Sequence, residues 1–238
     1  MSVLMGRPHR GDTAILTTYD MSPFLVGCVS VRGEGTSARV DGRSLRSVRS
    51  RHLVVETFLD LLEEGVVQPT ALQVSERCGL SMSSIFRLFE DVDALHTAAN
   101  AAQIDRMAHL IVDLDASRPF EQRLRSLVES HSRVFEAVSP VRRMAVRLAT
   151  TSAPIRDSLD AADEFFRVQL AELFAVELSA LSASRRRDVL DTLDAATSWE
   201  TWERLRVRQG VSAQRARRIV GNVVRAALAE TRGGDHET

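Results

Sequence analysis

From Ser44 almost to the C-terminus, apolar residues recur every three or four positions, and no strand-like alternation is sustained. A period near 3.6 belongs to helices with one buried face, whereas half-buried strands repeat every second residue. The first such segment carries Val48, Val55, Leu59 and Leu62, widened by Leu45, Val54, Phe58 and Leu61, with Gly65 as a stop. Phe120, Leu124, Leu127, Val128, His131, Phe135 and Val138 form a second stripe; Ile155, Leu159, Ala162, Phe166, Leu170 and Leu173 form a third. Breaks are predicted at Ser117-Arg118-Pro119, Ser139-Pro140, Ala153-Pro154, Ser179 to Ser184 and Gln209-Gly210. Proline just inside a helix start lacks only an N–H that would be unpaired there, so these breaks also mark beginnings. The pattern predicts about nine helices, no sheet, and an all-α fold of packed layers.

Ahead of this run, residues 1–42 scatter Gly6, Pro8, Gly11, Pro23, Gly27, Gly33, Gly35 and Gly42 with no helical period, which predicts a mobile N-terminal arm. A short strand over Leu25 to Val31 is the alternative, although it has no evident partner. Leu25-Val26-Gly27-Cys28 looks like the stretch before a lipidated cysteine. A secretory core, however, needs about 7–15 uninterrupted apolar residues, and Asp12, Thr17, Thr18, Asp20 and Pro23 interrupt it. No segment approaches the ~20 apolar residues of a membrane span. The expectation is a cytoplasmic protein without membrane contact.

At 238 residues and 44% hydrophobic content, the chain can bury one large helical core or join a small domain to a larger one. Its net charge of −1 conceals an uneven layout. Lysine is absent, and Arg32, Arg39, Arg43, Arg46, Arg49 and Arg51 are opposed within their stretch only by Glu34 and Asp41. A local basic patch on a near-neutral chain suits an anionic polymer met by one face. General arginine bias explains the missing lysine but not the clustering. Cys28 and Cys78 are too few for a disulfide framework and too far apart in sequence for a metal motif. There is no glycine-rich phosphate loop, HExxH zinc pattern or G-x-S-x-G elbow, so neither an enzyme nor a cofactor or metal is expected.

The most informative segment runs from Thr70 to Phe89. Thr70 can open a short helix whose inner face carries Val74 and Cys78 one turn apart, and Gly79 suits the positive φ of a tight turn. Leu80 then plugs the angle, and Ser81 is a good N-cap for a second short helix. In that helix Ile85 and Phe89 face inward, while Met82, Ser83, Ser84 and Arg87 face out. Two short helices so joined form a helix-turn-helix, whose second helix presents its N-terminal residues to base edges in the major groove.

On these residues the sequence resembles the tetracycline-repressor-like family of bacterial regulators, from about Ser44 to Ala102. The matching positions are the apolar first helix ending at Gly65, then Thr70, Val74, Gly79-Leu80-Ser81, Ile85, Phe86, Phe89 and Leu95. Trp199-Glu200-Thr201-Trp202-Glu203-Arg204-Leu205, followed by Gly210 and Ser212, looks like the end of the family's regulatory domain. The resemblance implies a three-helix DNA-binding domain over 43–102 and a larger ligand-binding and dimerisation domain over 103–238. It also implies a homodimer that binds double-stranded palindromic DNA and answers to an unknown small-molecule effector, with a repressor as the leading form. Arg43, Arg46, Thr70, Ser81, Met82, Ser83, Ser84, Phe86 and Arg87 are the expected DNA contacts.

Where relatives usually carry tyrosine, histidine and lysine, this chain has Phe86, Leu88 and Val92, each without a donor for the DNA backbone. Met82 and Ser83 also depart from the usual polar residue and glycine. A dimeric ligand-binding or protein-interaction module that has lost operator binding is therefore the alternative. Met107, His131, Phe135, Met144, Phe166 and Trp199 are candidate pocket residues, although aromatics at helical spacing are more often core. A hydrogen-bonded core histidine is the plain alternative for His131; for Cys78 a packed free thiol is expected rather than a redox switch. The last two helices, near 184–208 and 212–230, are the expected dimer interface, with Ala216, Val220, Val223, Ala227 and Leu228 as a narrow stripe.

Overall fold

A helix keeps its shape in water when one face finds something to bury it, and α1 (Gly42–Glu63) does so over its second half. Val54, Val55, Phe58, Leu59, Leu61 and Leu62 are buried, whereas Leu45 and Val48, expected to extend the same stripe, are exposed, Val48 at 63%. Residues 45–49 are all exposed. The computed structural model describes residues 42–233 and, within them, the side chains of 45–229. The expected arm, the Leu25–Val31 strand, Cys28 and the side chain of Arg43 lie outside those residues.

Gly65, at φ +94°, stops α1. Two short helices, α2 (Ala71–Cys78) and α3 (Met82–Leu88), follow, then α4 (Val92–Met107) and a single 3₁₀ turn over Ala108–Leu110. The long α5 (Phe120–Leu148) and α6 (Ala153–Leu173) come next, with the short α7 (Ala175–Ser179) and α8 (Ala183–Thr197). The one-turn α9 (Trp199–Glu203) runs into a π turn over Arg204–Arg208, and α10 (Ala213–Gly233) ends the series. Among the described residues there are ten α-helices and no strand, so the fold is all-helical as the periodicity predicts. The helix expected over 184–208 is divided at Ser198, which leaves helical geometry at ψ 159° and accepts from Thr201 N–H to open α9.

The break expected at Ser139-Pro140 does not occur: α5 runs straight through Pro140. Proline removes one backbone donor from a long helix whose other turns remain bonded. Nearby, Ser139 Oγ donates to the Phe135 carbonyl at 2.6 Å while accepting from Trp199 Nε1 at 3.0 Å. Burial against the rest of the chain holds α5 together where local propensity would end it.

The buried residues divide into two clusters. The first joins α1–α4 through Phe58, Leu59, Val74, Ile85, Phe89, Leu95 and Ala99, and it is closed from outside by Val141 and Met144 of α5. The second gathers Leu127, Phe135, Leu170, Phe174, Leu193, Trp199 and Trp202 with one whole face of α10. Ala216, Val220 and Leu228, expected at a dimer interface, belong to that face and are buried inside the protomer. Only Val223 and Ala227 of the predicted stripe reach the surface, Val223 at 43% exposure.

Candidate nucleic-acid interface and ligand cavity

The α2–α3 pair is built by its caps. Thr70 Oγ1 accepts from Gln73 N–H, and Gln73 Oε1 accepts from Thr70 N–H, a reciprocal arrangement that satisfies orphan donors at the start of α2. Gly79 turns the chain at φ +74°, a region L-residues avoid, and Ser75 Oγ donates to the Leu80 carbonyl at 2.6 Å across the turn. Ser81 Oγ then accepts from Ser84 N–H at 3.2 Å and opens α3. Ile85 and Phe89 are buried; Ser83, Phe86 and Arg87 are exposed; Met82 and Ser84 are half-buried. One short surface therefore carries three neighbouring hydroxyls, with Ser81 Oγ 3.0 Å from Ser83 Oγ and 2.9 Å from Ser84 Oγ. Beside them stand an aromatic ring and a guanidinium.

The expected cationic set is reassigned in one place. Arg51 donates from Nη1 to the Leu88 carbonyl at 2.6 Å, and its guanidinium carbon lies 4.2 Å from the Phe89 ring centroid. It clamps α1 onto the end of α3. Arg46 and Arg49 stand on the exposed first turns of the same helix. Glu90 and Asp91 follow α3, and Asp91 is spent capping α4 through Ala94 N–H at 2.7 Å. Of the three positions expected to lack a donor for the DNA backbone, Leu88 packs against the first core, while Phe86 and Val92 are exposed. Cys78 is half-buried in the same neighbourhood.

Between α4, α5 and α6 lies a cavity of about 80 Å³ with an apolar end formed by Met107, Ile111, Val134, Phe135, Phe165 and Phe166. Its polar groups are Asn100, Gln103, Arg142 and Ser158. Asn100 Nδ2 donates to Ser158 Oγ at 2.9 Å, and Gln103 Nε2 donates to the Ala137 carbonyl at 3.0 Å. Arg142 Nη2 donates to Asp163 Oδ1 at 2.6 Å, with Glu200 at 3.5 Å and the Trp199 ring centroid 5.3 Å from the guanidinium carbon. Gln103 Oε1 and Arg142 Nε are buried without a hydrogen-bond partner. A buried polar group left so costs about 1–3 kcal/mol. Burial raises the Asp163 carboxyl above its ordinary value, against the lowering pull of Arg142.

Arg142 and Asp163 separate this cavity from an open, acidic cleft of about 300 Å³ lined by Trp199, Asp191, Asp194 and Glu200, with Arg167 bridging the two aspartates. Of the predicted pocket residues, Met107, Phe135 and Phe166 line the cavity and Trp199 the cleft. His131 is a core residue beside them, its Nε2 3.0 Å from Gln169 Oε1 and its ring edge-on to Phe135 and Phe166. Burial lowers its pKa from the ordinary imidazole value, against the raising influence of Gln169. Met144 lines neither space: it faces the first core, two residues beyond Arg142 of the cavity wall. The polar members of the cavity escaped sequence reasoning, although polar side chains on the buried faces of α4 and α5 are a visible signal. No family model matches the chain, and neither a curated protein nor a solved structure matches it.

Proposed function

We propose that the protein is a ligand-responsive DNA-binding regulator, a repressor of the tetracycline-repressor-like kind, in which residues 43–102 carry the reading head and 103–238 the sensing and dimerisation part. The observation that carries this reading is the double use of α4. Leu95 and Ala99 are buried in the core beneath α2 and α3, while Gln103 and Met107, further along the same helix, line the cavity. A rigid helix that shares both sites transmits any shift at the cavity to the helix pair. Ser81, Ser83, Ser84 and Arg87 supply donors to DNA, Phe86 and Met82 apolar contacts to thymine methyl groups, and Arg46 and Arg49 phosphate contacts.

In this reading two protomers pair through the exposed sides of α8 and α10 around Val223 and Ala227, burying on the order of 2,000 Å² in total. Their heads then meet half-sites about 34–36 Å apart, or a multiple of that spacing. The working compartment is the cytoplasm, where the DNA is. The test is a mobility-shift assay with the promoter region of the protein's own gene at several salt concentrations. A sequence-preferring complex that weakens steeply with salt supports the regulator. The second reading, a dimeric ligand-binding module without an operator, is favoured by the engagement of Arg51 with α3, which draws one cation away from phosphate, beside the donor-less Leu88. No DNA complex at low salt would select it.

A further inference from the structure

We propose that the open groove between the first part of α5 and the middle of α10 docks a short acidic peptide segment of another protein, with one apolar side chain between its carboxylates. The groove has a volume of about 500 Å³, and Leu124, Val128 and Gly221 line its apolar part. Its walls are mostly arginine. Arg225 is held by Glu121 through two hydrogen bonds of 2.9 Å, and Glu129 lies 3.7 Å from Arg133. Those pairs balance both carboxylates of the groove. Arg125, Arg217 and Arg218 are left over, none with a hydrogen bond or ion pair among the described residues. Three uncompensated guanidiniums around one groove, on a chain of net charge −1, form a local positive field. A carboxylate is its complement, because a guanidinium holds it through two parallel hydrogen bonds.

Geometry sets the class and length of the occupant. Glu121 and Glu129 stand about 12 Å apart along α5 and bound the groove at both ends. That window suits about four extended peptide residues. A phosphate backbone, with charge at regular intervals beyond the window, would meet both carboxylates. DNA held by α2 and α3 does not reach the groove either, since Arg125 lies roughly 28 Å along α5 from Met144, where that helix meets the first core. The apolar part supplies the anchor site. Gly221 is buried and has no side chain, and a Cβ there would meet only Val128, at 3.9 Å. Asn222, whose Oδ1 is taken by Arg225, keeps its amide N–H for a peptide carbonyl. Pairing of two protomers through Val223 leaves the groove open, because Gly221 lies about 200° from Val223 around α10.

The test titrates acetyl-Glu-Glu-Leu-Glu-Glu-amide into the full chain in low salt, read by saturation-transfer NMR, beside its glutamine-for-glutamate and alanine-for-leucine counterparts. The expected result is saturable binding of the acidic leucine peptide, weaker binding of the alanine peptide and none of the glutamine peptide. Arg125→Ala/Arg217→Ala/Arg218→Ala should weaken the leucine peptide about tenfold or more, at about two- to fivefold for each exposed pair. Gly221→Met, which fills the apolar part, should bring the leucine peptide down to the alanine peptide's affinity; if that variant does not fold, Gly221→Ala should narrow the difference. Undiminished binding to the triple variant, or no binding to the parent, would overturn the proposal. So would a DNA duplex or a phosphatidylserine vesicle that binds through the same three arginines while the peptide does not. Equal affinity of the leucine and alanine peptides for the parent would overturn the anchor.

Discussion

Two buried histidines set how the protein responds to acid. His131 is held below 6.5 by burial, against the raising influence of Gln169, and His96, packed 5.4 Å from the Phe58 ring, is lowered by burial despite Asp93. Unfolded, both titrate near 6.5. The unfolded chain therefore takes up protons that the folded chain refuses: stability is full above 6.5 and is lost as the pH falls toward the folded values. The loss should approach about 1.4 kcal/mol per pH unit for each histidine. Urea unfolding between pH 7.5 and 5 measures it, and His96→Leu should remove one histidine's share of the slope. An unchanged slope would mean His96 is protonated in the folded protein. At the foot of α3, Phe89 is 2% exposed beneath Arg51. Phe89→Ala should cost about 3–5 kcal/mol in the same assay.

At the level of elements, the α2–α3 turn depends on one backbone conformation and one cap. A Cβ at Gly79 would meet nothing within 4 Å, so Gly79→Ala carries only the conformational penalty of φ +74°, about 1–2 kcal/mol. Gly79→Asn should recover part of it, because asparagine tolerates that region. Ser81→Ala should cost about 1 kcal/mol through the lost cap. Thermal unfolding of the three variants distinguishes these contributions; Gly79→Ala without effect would show that the turn relaxes to another geometry. In α10 the division of labour is between faces. Ala216, Val220, Val224 and Leu228 complete the protomer core, so removing the helix would expose that core whatever the oligomeric state.

For the whole molecule the test of pairing must therefore change a surface residue. Val223→Arg, on the exposed side of α10, should leave the fold intact and halve the mass seen by sedimentation if that side is the dimer contact. An intact dimer would place the contact elsewhere. Electrostatics supplies a second measurement at this scale. Arg46→Ala/Arg49→Ala should flatten the slope of log K against log salt for DNA binding by roughly 2 units and leave sequence preference nearly intact. Arg51→Ala is the informative contrast, because it should first weaken the seating of α3. If the double variant binds DNA with the parent's slope, the arginines at the start of α1 make no phosphate contact.

Much of this was legible in the sequence because it is local. Apolar period, a capping threonine, a glycine before a serine cap and the inward pair Ile85/Phe89 each act within a few residues, so the α2–α3 pair and the all-helical class follow from spacing alone. Which partner each face meets is settled by packing between distant residues. Pro140 stays inside α5 because packing outweighs one missing hydrogen bond; Met144 turns to the first core rather than the cavity; Ala216, Val220 and Leu228 turn inward although the same stripe could serve an interface. Arg51 leaves the cationic set for the Leu88 carbonyl, and Gln103 and Arg142 come to one cavity from different helices. Periodicity states that a face is buried and is silent on what buries it. That choice is made by contacts between residues far apart in the chain, whose free energy no local spacing contains.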